Sequence, residues 1–167
     1  LSEHMKNLIT KRFKTRKENN PSLDKWSYYT DLMLPLLREK KAVIVTVNNN
    51  DIPIGMAFNF LSDDVLFYAI PTFDVDYMNF NIGHSTIMEI MKWCFDNKIR
   101  TFDFSKGIGE YKNRWVTNTY VFQNHILYDS GSITSSITAQ SIFIYFKLKQ
   151  FLRDKNVNVL FSKLKYL

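Results

Sequence analysis

The 167-residue chain is long enough for one domain with a sizeable core, and its 46% hydrophobic and 16% aromatic content excludes an intrinsically disordered polymer. A single cysteine, Cys94, excludes an internal disulfide and makes a reducing, cytoplasmic setting the expectation, and no run reaches the length of a membrane span or shows a signal-peptide pattern. The formal charge of +6 suits a polyanionic partner such as coenzyme A, tRNA or anionic lipid, and suits an ordinary basic protein equally well. A first residue of Leu rather than Met is what a piece of a longer protein would show.

In chain order, residues 1–18 are predicted helical and basic. Lys11, Arg12, Lys14, Arg16 and Lys17 form a solvated face or, alternatively, a phosphate-contacting edge. Asn19, Asn20 and Pro21 break that helix, and Ser22 or Asp24 is placed to cap a second one over 23–39. There Trp26, Tyr29, Leu32, Met33, Leu36 and Leu37 share a face, and Pro35 predicts a kink or a break. Three strands follow, at 42–47, 54–61 and 65–73, with turns at 48–51 and 62–64 rich in Asn and Asp. Pro71 has no N–H and so can interrupt pairing of the third strand with a neighbour.

Residues 73–80 form a link on which Asp74, Asp76 and Tyr77 can face an acceptor. Two close carboxylates without a His or a third carboxylate do not make a metal site, and no metal is expected. Ile82, Gly83, His84 and Ser85 then form a turn ahead of an amphipathic helix from Thr86, with Ile87, Ile90, Met91, Cys94 and Phe95 on one face. Thr86 and Glu89 have capping-box spacing, and Asn97 suits a left-handed stop. A glycine before a helix start lets backbone approach a ligand and presents unpaired N–H groups to an anion; it also suits a plain tight turn. Cys94, on the apolar face, reads as packing.

The strand 100–105 places Phe102 and Phe104 on one face and Asp103 on the other. Asp is depleted in strands, so a partner is expected from Lys112 or Arg114. A glycine-bearing loop, 107–109, leads to Tyr111, Lys112, Arg114 and Trp115. Loop, helix, strand and second loop make an order in which two loops can line one cleft. Beyond Trp115, residues 119–129 read as a strand or hairpin arm carrying His125, and 129–132 as a turn. Residues 133–152 read as a helix with Ile137, Phe143, Ile144, Phe146, Leu148, Phe151 and Leu152, and a last short helix holds Phe161, Leu164, Tyr166 and Leu167. With Lys147, Lys149, Arg153, Lys155, Lys163 and Lys165, this tail is apolar and basic at once, suited to a partner domain or a membrane surface.

Gly83 with its helix, Asp103-Phe104, Gly107, Tyr111-Lys112 and Arg114-Trp115 together resemble the C-terminal signature of the BioF2-like, CelD-type branch of the GCN5-related N-acetyltransferase (GNAT) superfamily, over residues 42–128. That branch carries a small residue or Pro before its glycine, where this chain has Asn81-Ile82. The resemblance implies an α/β (α+β) fold: a mixed, mostly antiparallel central sheet, splayed in the middle and flanked by helices. It implies one such domain over 1–167, part of a longer and often two-domain protein. It implies transfer of an acyl group from acetyl-CoA or another acyl-CoA to a small-molecule amine, with an amino sugar of envelope or polysaccharide synthesis as the suggested acceptor. Residues Ile82, Gly83, His84 and Ser85 would meet the donor's pyrophosphate, and backbone between Pro71 and Phe73 would supply an oxyanion donor. Tyr111 would protonate the leaving thiolate. Asp103 would take the amine's proton or else pair with Lys112 to pin the second loop, and Lys112 would anchor that loop or touch phosphate. Two alternatives remain: a Fem-type, aminoacyl-tRNA-dependent transferase, and a non-catalytic domain that acts through protein contacts.

Overall fold

The computed structural model describes residues 1–18, 20–107 and 109–154. The short helix expected around Phe161, and Lys155, Lys163 and Lys165, lie outside them. The chain falls into two compact units, Leu1–Val116 and the residues from Thr117 on.

The first unit opens with α1 (Ser2–Arg16), α2 (Pro21–Asp24) and α3 (Trp26–Arg38). The expected second helix starts early because Asn20 takes the capping role given above to Ser22 or Asp24, its side chain accepting from the Ser22 N–H, and it is split at Lys25, whose backbone leaves helical geometry (φ −113°, ψ 23°). Pro35 neither ends nor divides α3. The carbonyl it orphans belongs to Asp31, an exposed residue that water can serve.

Strands β1 (Ala42–Asn49), β2 (Ile52–Ser62) and β3 (Val65–Phe73) form an antiparallel meander, and β4 (Thr101–Asp103) adds to β3 in parallel, giving the order β1-β2-β3-β4. This is the mixed, mostly antiparallel sheet that the resemblance implies. The first two strands run longer than expected because Asn48 and Asn49 still pair, with Pro53 and Ile52, so the turn narrows to Asn50 and Asp51. Asn50 and Asp63 take the left-handed backbone that their turns need.

Alternation along β2 divides the core in two. Met56 and Phe58 point to the face covered by α1 and α3, where they meet Met5, Leu8, Ile9, Trp26, Met33 and Ile70. Ala57 points to the other face, covered by α4 (Ile82–Asp96), and joins Leu66, Tyr68, Ile87, Ile90, Cys94 and Phe104. Phe95 is not part of that face; it is 83% exposed. The left-handed stop after α4 falls on Lys98 rather than Asn97, whose side chain instead donates to the Trp93 carbonyl. The Ile99 N–H then bonds to the Cys94 carbonyl, as a Schellman ending requires.

In the second unit, residues 117–129 form no strand, contrary to expectation, and His125 lies exposed among them. A strand needs an edge to pair with, and among the described residues this segment finds none. The turn at Asp129 does form: its carboxylate accepts from the Gly131 N–H. Ser132 then caps α6 (Ile133–Asp154) by accepting from the Ser135 N–H.

Candidate active site

The site is built around a place where the sheet comes apart. Strand β4 pairs with β3 at only three positions, Val65 with Thr101, Leu66 with Phe102 and Phe67 with Asp103. Beyond Phe67, β3 continues to Phe73 along β2 alone. Two local devices cause this. On β3 the register slips, with Phe58 opposite Ile70 but Asn59 opposite Tyr68, so Ala69 is the extra residue of a bulge. Buried Asn59 braces the sheet there, donating to the carbonyls of Val43 and Ala57. On β4 the chain turns away: the Asp103 carboxylate accepts from the Ser105 N–H at 2.6 Å, Ser105 is left-handed (φ 58°), and its hydroxyl donates to the Tyr68 carbonyl. Pro71 therefore does not start the divergence, since pairing has ended four residues earlier. It prevents pairing from resuming, having no N–H to give.

The first turn of α4 borders the open half of β3. Asn81 is left-handed (φ 55°), and its carbonyl accepts from the N–H groups of His84 and Ser85. Ile82, Gly83, His84 and Ser85 are thus the helix's first turn rather than a loop ahead of it. The expected capping box with Glu89 is absent, because Thr86 is buried inside the helix and its hydroxyl donates back to the Ile82 carbonyl. The cause lies across the sheet at Gly55. A Cβ there would come within 2.6 Å of both Ile82 Cγ2 and Thr86 Oγ1, so the helix start lies on β2 only because that position is glycine. Gly83 has room for a Cβ, which would rest 3.6 Å from the Phe73 ring at the end of β3.

The second loop is gathered by one ammonium. Lys112, on α5 (Glu110–Asn113), donates to the carbonyls of Phe104 (2.8 Å) and of Ser105, Lys106 and Gly107 (3.2 Å each). An ammonium has three hydrogens, so at least one is shared. Burial lowers the Lys112 pKa and the nearby Asp103 charge works against that. Tyr111, beside it, is 46% exposed and sets its ring edge-on to Phe104. Burial raises its hydroxyl's pKa, with Arg12 opposing, so the phenol keeps its proton at neutral pH. The His84 ring lies 4.7 Å from that of Trp115, which ties the α4 start to the segment after α5.

Other expected residues are engaged elsewhere. Asp74 and Asp76 both bond to Lys11, at 2.5 and 2.6 Å, and Tyr77 accepts from Asn49. Cys94 is buried and its thiol is pushed up to about 11, which leaves it protonated and inert. Reading the residues alone missed Gly55, Ser105 and the placement of Arg12, which leaves α1 to lie 4.4 Å over the Phe73 ring. Only Gly55 carried a local signal, since an isolated glycine within a strand marks a bulge or a close approach.

A family model described as an acetyltransferase (GNAT) domain matches residues 1–113, the stretch from α1 through α5. No curated protein and no solved structure matches the chain. Among the described residues, no helix is long and apolar enough to cross a membrane. The matched stretch is more than half of the chain and contains the whole sheet, its opening and the helix start beside it. The chain belongs to the GNAT acetyltransferase-domain family.

Proposed function

We propose that the chain transfers an acyl group from acyl-coenzyme A to an amine. The observation that carries this is the loss of β3–β4 pairing after Phe67, which leaves an unpaired strand edge beside the first turn of α4. An extended donor arm can lie along such an edge, as an added strand would. The N–H groups of Ile82 and Gly83 precede any intrahelical acceptor and suit the donor's phosphates. Phe73, between that turn and Arg12, would line the arm. The oxyanion of the transferring carbonyl takes a backbone N–H from the open half of β3, of which Pro71 offers none. Tyr111, protonated and half-exposed, supplies the proton for the leaving thiolate. Asp103 and Lys112 position the second loop through the Ser105 N–H and the loop carbonyls, and as the amine nitrogen bonds to the carbonyl carbon and the carbon–sulfur bond breaks, the amine's proton passes to water. The acceptor is a small-molecule amine, and an amino sugar of envelope or polysaccharide synthesis is what the family resemblance suggests.

Calorimetric titration of acetyl-coenzyme A into the chain tests this. Measurable binding is expected, unchanged in Gly83→Ala, whose Cβ fits, and lost in Gly83→Val, whose added methyls crowd the Phe73 ring and the helix start. Absence of heat at millimolar ligand would refute the reading.

A further inference from the structure

We propose that Arg12 is the receptor for an oxyanion on the ligand that enters the opening between β3 and β4. The inference rests on the transferase reading only in taking that opening as the ligand's place. Arg12 sits on α1, on one face of the sheet, and its side chain reaches the unpaired edge of β3. There Nη1 donates to the Pro71 carbonyl at 3.3 Å, and the guanidinium lies over the Phe73 ring. The Nε atom is buried and has no hydrogen-bond partner. Among the described residues, no carboxylate pairs with this guanidinium. At neutral pH the charges that act on it include Arg16, which repels, and Glu18, which attracts without bonding.

Its neighbour in sequence shows the difference. Lys11 is answered twice, by Asp74 and Asp76. Arg12 is drawn out of water and, beside the face of the Phe73 ring, has one long hydrogen bond to a neutral carbonyl. A guanidinium has five N–H donors in a planar fork that matches the two oxygens of a carboxylate or phosphate. Capping one edge carbonyl uses a small part of that capacity. The location favours negative charge as well, because the α4 start approaches the same Phe73 ring, at Gly83, that Arg12 covers. Two sources share this chemistry: a phosphate of the acyl donor, or a carboxylate on the acceptor amine.

Binding of coenzyme A, of pantetheine, its phosphate-free arm, and of inorganic pyrophosphate would be measured on wild-type, Arg12→Gln and Arg12→Lys proteins. Should the donor's phosphate be the source, Arg12→Gln weakens coenzyme A and pyrophosphate about tenfold or more, the loss expected of one charge-assisted hydrogen bond, and leaves pantetheine unchanged. Should the acceptor's carboxylate be the source, coenzyme A is unaffected, and the preference for carboxylate-bearing amines over their amides, read as KM, falls about tenfold. In either case Arg12→Lys, which keeps the charge and loses the fork, recovers part of the effect. If Arg12→Gln does not fold, as read by thermal unfolding, Arg12→Lys carries the test: a fall in the affected affinity without loss of Tm is expected. Effects below twofold on all of these ligands overturn the proposal. Arg12-dependent pyrophosphate binding without acyl transfer would keep the anion site and defeat the transferase reading instead.

Discussion

Helices α4 and α6 both look like core helices in the sequence, and the protein treats them in opposite ways. Along α4, Ile82, Thr86, Ile87, Ile90 and Cys94 are buried. Along α6, only Ala139 is buried among the described side chains, while Ile137, Phe143, Ile144, Tyr145, Leu148 and Phe151 are exposed. Part of the difference is pattern. The buried residues of α4 recur at spacings of three and four and so form one stripe, whereas residues 142–146 of α6 are apolar without interruption and wrap around the helix. The rest is reception. The α4 stripe meets Ala57, Leu66 and Tyr68 on the sheet, while in the unit of α6 the residues before it, 117–129, form no sheet to lie on. Apolar periodicity states what a helix can bury; a complementary surface decides whether it does.

The strongest way to break the comparison is to damage the stripe. Ile90 is fully buried, and Ile90→Ala is expected to destabilise the first unit by about 2–5 kcal/mol in urea unfolding, through lost burial and the cavity left behind. Next is the receiving surface. Gly55→Ala places a methyl 2.6 Å from Ile82 Cγ2 and Thr86 Oγ1, and overpacking of this kind costs about 1–3 kcal/mol. Because the first turn of α4 must shift to admit it, coenzyme A affinity should fall as well. Gly55→Ala with affinity intact would mean that the helix start is not part of the ligand site.

Lys112→Met removes a donor from four loop carbonyls, at a cost of about 0.5–1.5 kcal/mol for a hydrogen-bonding group at this partly exposed position. The readout that separates it from Ile90→Ala is local: amide exchange should accelerate in residues 104–107 and stay unchanged in α4. A smaller effect is expected at Asp74. Burial alone would raise its pKa, but the hydrogen bonds from Lys11 and the Asp76 N–H outweigh it, and the folded value lies below the ordinary one. Its contribution is therefore present above the unfolded value of about 3.9 and is lost as pH falls through the lower folded value. Lys11 is raised by the same partners, so its contribution is full below about 10.4 and is lost as pH rises through the folded value. Asp74→Asn should flatten the acid limb of a Tm-against-pH curve; an unchanged limb would show that the pair adds nothing.

How much of this could be read from residues alone depended on how far each cause reaches along the chain. Strand β3 has the bounds that its β-branched and aromatic run indicated, and the two Asn- and Asp-rich turns lie where their chemistry put them. Those causes are local. The opening of the sheet was expected, but its cause was not, because it lies in the Asp103–Ser105 turn and the Ala69 bulge, and a bulge exists only relative to a partner strand. Thr86 looked like a cap because capping spacing is local. The contact that buries it comes from Gly55, thirty-one residues earlier. Lys112 was matched to Asp103 by charge and does feel that charge, but its hydrogen bonds to the backbone carbonyls of the loop are a kind of contact that a sequence does not display.

The smallest expected effect is also the sharpest test of the contrast between the two helices. Ile144 is 64% exposed on α6, so Ile144→Ala removes little that folding had taken out of water, and a change within about 0.5 kcal/mol is expected. Ala is also the better helix former, which offsets part of any loss. The same substitution type at Ile90 and Ile144 thus isolates the receiving surface, since residue, replacement and secondary structure are held constant. Equal losses at both sites would show that the α6 side chain is covered in solution. The difference between the helices would then lie in what covers them and not in their patterns.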